Sequence, residues 1–317
     1  MSRSMKNSNA ITHTVFGLGT LLLLLTAMPR CSYAEAQQDV FPTPEKAVEA
    51  LIFATRHEHT TELHKILGPT SGKLIHSGDD VADQEGREKF VAAYDKAHKI
   101  EDAGDDRKVL AVGDEEWPMP IPLLHDKDGW RFDTASGEME ILNRRIGRDE
   151  LNVIEVCRAY VEAQREFAAL HPSSDNQHEY AQNFQSTEGK HDGLYWEVKD
   201  GEKESPLGPL IASATAEGYS DTTALDKRTP YHGYYYKILK SQGEHAAGGA
   251  VDYVKDGHMT GGFALIAFPA TYGDSGVMSF IVNQNGIVYE TNLGPETPGL
   301  VGHITAYDPD DSWTIVQ

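Results

Sequence analysis

Cysteine is nearly absent from this chain: its 317 residues contain two, Cys31 and Cys157. Cations are scarce as well, 28 Lys and Arg against 49 Asp and Glu, and none occurs beyond Lys255. The resulting charge of −21 repels nucleic acid and anionic lipid, which excludes binding to either as the main activity. No apolar run is long enough for a membrane helix. The longest, residues 15–28 (VFGLGTLLLLLTAM), falls short of the ~20 residues that a span needs. Apolar residues are nevertheless 39 % of the chain, counting Tyr, which is enough for a core and excludes wholesale disorder.

That apolar run lies behind a basic start, Arg3 and Lys6, and ahead of small residues at Ser32, Ala34 and Ala36. The combination reads as a signal peptide over residues 1–36, cleaved after Ala36. The expected destination is the periplasm or the medium, with no stable membrane span after cleavage. Pro29 and Arg30 precede Cys31 where a lipoprotein signal needs small or aliphatic residues, so plain secretion is the reading. Cleavage removes Cys31 and leaves Cys157 alone. The fold then rests on its apolar core rather than on disulfides.

Residues 37–148 read as an N-terminal α+β domain. Thr43, Pro44 and Glu45 open a helix, Gly68 and Pro69 stop a second, and residues 85–98 suit a third. Strands follow from Lys108. In residues 117–124 three prolines alternate with Trp117, Met119, Ile121 and Leu123, which places the four apolar residues on one face. It also makes the segment an edge strand or an extended run. Ser136 and Gly137 read as a turn. Residues 149–172 read as a spine helix with Asp149 and Glu150 at its positive end and Leu151 on its apolar face. Residues 173–193 read as a polar linker. Residues 194–317 read as a β-rich C-terminal domain with strands at 234–239, 263–268 and 277–282, the last in a hairpin with 287–290.

Several groups invite a functional reading. Tyr231, His232, Tyr234, Tyr235 and Tyr236 form the densest aromatic run. In a strand Tyr234 and Tyr236 share a face, and at least one side of the strand is core. Tyr231, His232, Tyr234 and Tyr236 are the candidate binding residues, for an envelope protein or a glycan. Asp308, Asp310 and Asp311 are candidate ligands for calcium, although no EF-hand spacing surrounds them; a solvated acidic turn is the simpler account. No other cofactor is expected. Gly273-Asp274-Ser275-Gly276 resembles a serine-protease nucleophile turn but lacks the other members of a triad. Arg144, Arg145 and Arg148 read as ion-pairing residues first and an anion clamp second. The alternative to a binding or assembly protein is a ligand-binding or hydrolytic pocket in the N-terminal domain. Its walls would include Trp117 and Met119, and its polar groups His125, Arg131 and Asp133.

The segments FDTASGEMEILNRRIGRDEL (132–151), PYHGYYYKIL (230–239), MTGGFALIAFPATYGDSGVMSF (259–280) and GIVYETNLG (286–294) together resemble the domain of unknown function 2950 family. That resemblance implies an exported bacterial protein, mainly of Gram-negative organisms, and assigns no chemistry. Thr291 and Asn292 stand where that family commonly has a Lys-Asp pair. In element order the N-terminal domain is similar to nuclear transport factor 2-like domains, helices packed on a curved antiparallel sheet. The C-terminal strands are similar to the antiparallel β-region of pseudopilin-like proteins. The expectation is therefore an α+β protein built from these two parts and a spine helix.

Overall fold

The computed structural model describes residues 38–172, 178–199, 201–219 and 229–316. The proposed signal peptide, with Cys31, lies outside them. Helix α1 (Pro44–Arg56) starts beneath Thr43, whose hydroxyl accepts from the Lys46 amide. Pro44 occupies the first turn, where its missing N–H has no partner to lose. Helix α2 (Thr60–Leu67) ends at Gly68 with φ +89°, a conformation that favours glycine. The short α3 (Gly72–Ile75) leads to α4 (Asp80–Lys96), capped by the Asp79 carboxylate on the Ala82 amide at 3.1 Å.

An antiparallel sheet follows, made of β1 (His98–Asp102), β2 (Arg107–Val112), β3 (Trp117–Pro118), β4 (Leu123–Asp126) and β5 (Gly129–Phe132). Its order is β1-β2-β4-β5, with β3 also paired to β2. The expected single strand over 117–124 is therefore two short ones. Pro120 and Pro122 fall in the gap and supply no amide to a ladder. Met119, Ile121 and Leu123 are buried as the alternation predicts, but Trp117 is 41 % exposed. Leu51, Ile66, Leu110, Leu123 and Phe132 belong to one hydrophobic cluster beneath α1 and α2.

The largest departure from expectation is α5 (Thr134–Leu170), a helix of 37 residues that starts 15 positions before Asp149. The residues read as a turn, Ser136 and Gly137, lie in its first turns. A Cβ on Gly137 would sit 2.4 Å from the Pro120 carbonyl oxygen, so glycine here allows close backbone approach rather than a reversal. Asp149 is consequently mid-helix and buried, and Leu151 faces solvent. The early part of α5 meets the first cluster through Ile141. From Val153 to Phe167 the helix belongs to a second cluster.

That second cluster lies on an antiparallel sheet of order β14-β13-β12-β11-β6. After α5 the chain runs through α6 (Gly208–Ala216) to β6 (Tyr234–Leu239), the first strand of that sheet. The ribbon β7 (Ser241–Gln242) with β8 (Val251–Asp252) and the ribbon β9 (Val254–Lys255) with β10 (His258–Met259) precede β11 (Ala264–Pro269). Next are β12 (Ser279–Asn283), β13 (Tyr289–Thr291), α7 (Thr297–His303) and β14 (Thr314–Ile315). Helix α5 covers β11 and β12, whose residues are almost all buried. That explains their continuous apolar sequence where an exposed sheet would alternate. Residues 178–199 pack rather than trail: Gln164 Nε2 donates to the Ala181 carbonyl, and its Oε1 accepts the Ala181 amide.

Candidate functional site

A cavity of about 360 Å³ lies where α2, α3, α4 and the early part of α5 meet the edge of the first sheet. Its apolar wall includes Leu63, Leu67, Phe90, Met119 and Ile141. Its polar wall is made mainly of guanidinium groups, Arg87 from α4 and Arg144, Arg145 and Arg148 from α5. Asp83 is the single carboxylate among the lining residues, and its Oδ2 accepts the Ser77 amide at 2.8 Å. In a chain of net charge −21, four arginines on one concave surface are a local concentration of cations, although three of them pair with carboxylates. A second, more open hollow of about 580 Å³ shares Phe90 and Trp117 with the first.

The four arginines differ in how firmly they are held. The Arg144 guanidinium lies 4.9 Å over the Trp117 ring and its Nε donates to Glu140. Arg145 donates to the Lys73 and Leu74 carbonyls at 2.7 and 3.0 Å and pairs with Asp274. Among the described residues Arg148 reaches the Oδ1 of Asp149 alone, at 3.1 and 3.2 Å. Arg87 has no ion-pair partner among the described residues, and its Nε is buried without any hydrogen bond. Its Nη1 donates weakly to the Ile75 carbonyl at 3.5 Å, so the guanidinium is held by one long hydrogen bond.

Behind Arg148 lies a buried polar junction between the two clusters. Asp79 accepts the Tyr219 hydroxyl at 2.7 Å and the Gly233 amide at 2.9 Å on one oxygen. Burial pushes the Asp149 carboxyl up to about 7, against the opposing pull of Arg148. His232 holds a left-handed backbone at φ +50°, with Asn152 Nδ2 3.3 Å from its Nδ1 and Glu217 3.4 Å from its Nε2. Burial, assisted by Arg148, lowers the imidazole to about 4, so it is neutral at pH 7.

A family model described as "Protein of unknown function (DUF2950)" matches residues 38–316. The chain belongs to that family. No curated protein and no solved structure gives a significant match. In this DUF2950 chain the residues singled out from sequence fall in different places. Trp117 and Met119 line the cavity, whereas His125, Arg131 and Asp133 do not. His125 tilts against Trp130, Arg131 pairs with Asp126, and Asp133 takes Arg107 and Ser136. Arg131, opposite Leu124 across the β4–β5 hairpin, lies on the face away from Leu123 and Phe132. His125 shares the face of Leu123 but sits at the far end of the hairpin, and Asp133 caps the gap between that sheet and α5.

Tyr231, Tyr234 and Tyr236 are core residues of the DUF2950 fold, at most 6 % exposed. Two of their hydroxyls are spent internally: Tyr234 donates to the Met278 carbonyl and Tyr236 to that of Tyr231. No aromatic platform faces solvent at that run, because both faces of β6 are needed for packing. Asp308 is taken by His245, accepting its amide at 2.8 Å and its ring nitrogen at 2.9 Å, and Asp310 by Ser312. Asp308, Asp310 and Asp311 do not converge as a ligand set. Among the described residues the group that does is His76, Asp80 and Asp83, with ligand atoms within 4.8 Å of one another. It lies around the first turn of α4, where carboxylates also complement the amide end of a helix. Arg87, the least satisfied cation of the cavity, carries no sequence signal: it is one charge among many on a polar helix.

Proposed function

We propose that this protein binds a small amphipathic anion in the cavity between α4 and α5, with its charged group on the arginines and its apolar part on the leucine, phenylalanine and methionine wall. The observation that carries this reading is the convergence of Arg87, Arg144, Arg145 and Arg148 on one cavity whose remaining wall is mainly apolar. Four cations crowded together repel one another, and the apolar wall excludes water, so an anion with a short apolar tail relieves both. The lining residues include no histidine, serine or cysteine, which supports binding over hydrolysis. The helices over a curved sheet support the nuclear transport factor 2-like comparison, since such folds enclose a pocket; the order of the C-terminal strands supports the pseudopilin-like one.

The same reading includes export to the periplasm or medium, supported by the basic start, the apolar residues 15–28 and the small residues behind them. No helix among the described residues is long and apolar enough to cross a membrane. An envelope protein or glycan partner would meet the acidic surface of the C-terminal part rather than its buried tyrosines.

The test is calorimetric titration with octyl sulfate below its micellar concentration, beside octanol and inorganic sulfate. Saturable binding of octyl sulfate, tighter by tenfold or more than either fragment and weakened in Arg87→Gln, is the expected result. Equal binding of octanol and octyl sulfate, or no saturable binding of the latter, overturns the reading.

A further inference from the structure

Arg148 faces two ways. It lines the cavity with 57 % of its side chain exposed, and its Nε and Nη2 are the charged partners of a carboxylate, Asp149, that is 3 % exposed. We propose that an anion seated in the cavity draws Arg148 away from Asp149, and that Asp149 takes up a proton in its place, so ligand binding is coupled to protonation of the junction between the two clusters. This rests on the anion-binding reading above.

Of the three cavity arginines on α5, Arg148 is the one free to move. Arg145 is fixed by two carbonyls and Asp274, and Arg144 by Trp117 and Glu140. Adjacent side chains on a helix diverge, so the Arg148–Asp149 pair is held by a curled arm meeting one oxygen. An incoming anion offers two oxygens in the planar geometry a guanidinium prefers. Asp149 cannot follow. A Cβ on Gly233, in the turn before β6, would lie 3.2 Å from its Oδ2, and Ser275 closes the same side. A buried carboxylate that loses its counter-charge neutralises instead.

The remaining charges around Asp149 act the same way or stay constant. Asp79, from the loop before α4, disfavours its ionised form, while Arg145 on α5 favours it but is committed to Asp274. Tyr234 on β6 and Tyr219 after α6 are both held well above their ordinary range and remain neutral. His232 is the competing proton acceptor, since Arg148 helps to suppress its basicity; Glu85 of α4 acts on it in the opposite sense. With its value near 4, His232 stays neutral at pH 7.5 unless it gains several units.

The experiment is titration of octyl sulfate, which has no titrating group near neutrality, into the protein at pH 7.5 in Hepes, Tris and imidazole. These buffers differ in ionisation enthalpy, so the slope of observed heat against it counts protons. Wild type is expected to take up roughly 0.8 proton per ligand, the fraction of a carboxyl near 7 that is ionised at this pH. Asp149→Asn is expected to bind without uptake, and His232→Asn to keep it. Binding with buffer-independent heat in wild type, or uptake that survives Asp149→Asn, overturns the coupling and leaves the anion site standing. Absence of binding overturns both.

Discussion

The Arg145 guanidinium lies 3.0 Å from the Asp274 carboxylate, with 11 % and 7 % of the two side chains exposed. The pair ties α5 to the Gly273–Gly276 turn between β11 and β12, 129 residues away in the chain. The tetrapeptide that resembles a protease nucleophile loop is thus a clasp: Asp274 holds the arginine, and the Ser275 hydroxyl accepts the Thr271 amide at 3.0 Å. Replacing Arg145 by Met leaves the buried Asp274 with only the more distant Lys73 as a counter-charge and is expected to cost about 3 kcal/mol in urea unfolding. Arg145→Met combined with Asp274→Leu is expected to lose less than the two single changes added together. Additive losses would show that the two groups do not depend on each other.

Gly137 and Gly147 lie on the same helix in opposite circumstances. A Cβ at Gly137 meets the Pro120–Ile121 backbone at 2.4–2.6 Å, whereas one at Gly147 meets nothing within 4 Å. Gly137→Ala is therefore expected to destabilise by about 1–3 kcal/mol, since backbone cannot step aside as a flexible side chain can. Gly147→Ala is expected to stabilise by about 0.5–1 kcal/mol through helix propensity alone. Thermal midpoints of the two variants moving in the same direction would contradict this account.

The same two glycines explain why half of α5 is hidden in the sequence. Ser136, Gly137 and Gly147 are weak helix formers, and local signals start the helix near Asp149. Packing against Pro120 and the Arg145 clasp override them, and neither partner is close in sequence. Where local and tertiary preferences agree, the reading is accurate: α1 starts at its Thr43-Pro44 signal, and β6 spans the predicted 234–239. The site divides in the same way. Trp117 and Met119 stand out through their alternation with proline. Arg87 and the pairing of Arg148 with Asp149 depend on how α4 meets α5, which no local pattern encodes. The tyrosine run advertises a surface and forms a core, because aromatic residues in a strand serve either purpose.

Cys157 offers a direct probe of the second cluster. It is fully buried, and desolvation pushes its thiol up to about 12. Iodoacetamide at pH 8 is expected to leave it unmodified in the native protein and to alkylate it fully in guanidinium chloride. Rapid alkylation under native conditions would mean that α5 separates from β11 and β12 far more often than this packing allows.

Asp149 and His232 set opposing pH dependences. Asp149 has a folded value of about 7 against an ordinary ~3.9, so between these limits the folded state holds more protons than the unfolded one. Stability therefore falls as pH rises through that window. His232 has a folded value of about 4 against an ordinary ~6.5, so there the unfolded state binds more protons and stability rises with pH. The two slopes oppose each other from about pH 4 to about pH 6.5, each at up to about 1.4 kcal/mol per pH unit. Removing one exposes the other. Relative to wild type, Asp149→Asn is expected to show a thermal midpoint that climbs more steeply between pH 4.5 and 6, and His232→Asn one that declines, as pH is raised in steps of about half a unit. Every other titrating group is common to the three proteins, so the differences between their profiles isolate this pair. Superimposable profiles for wild type and Asp149→Asn would place the carboxylate in contact with solvent and remove the basis for its raised value.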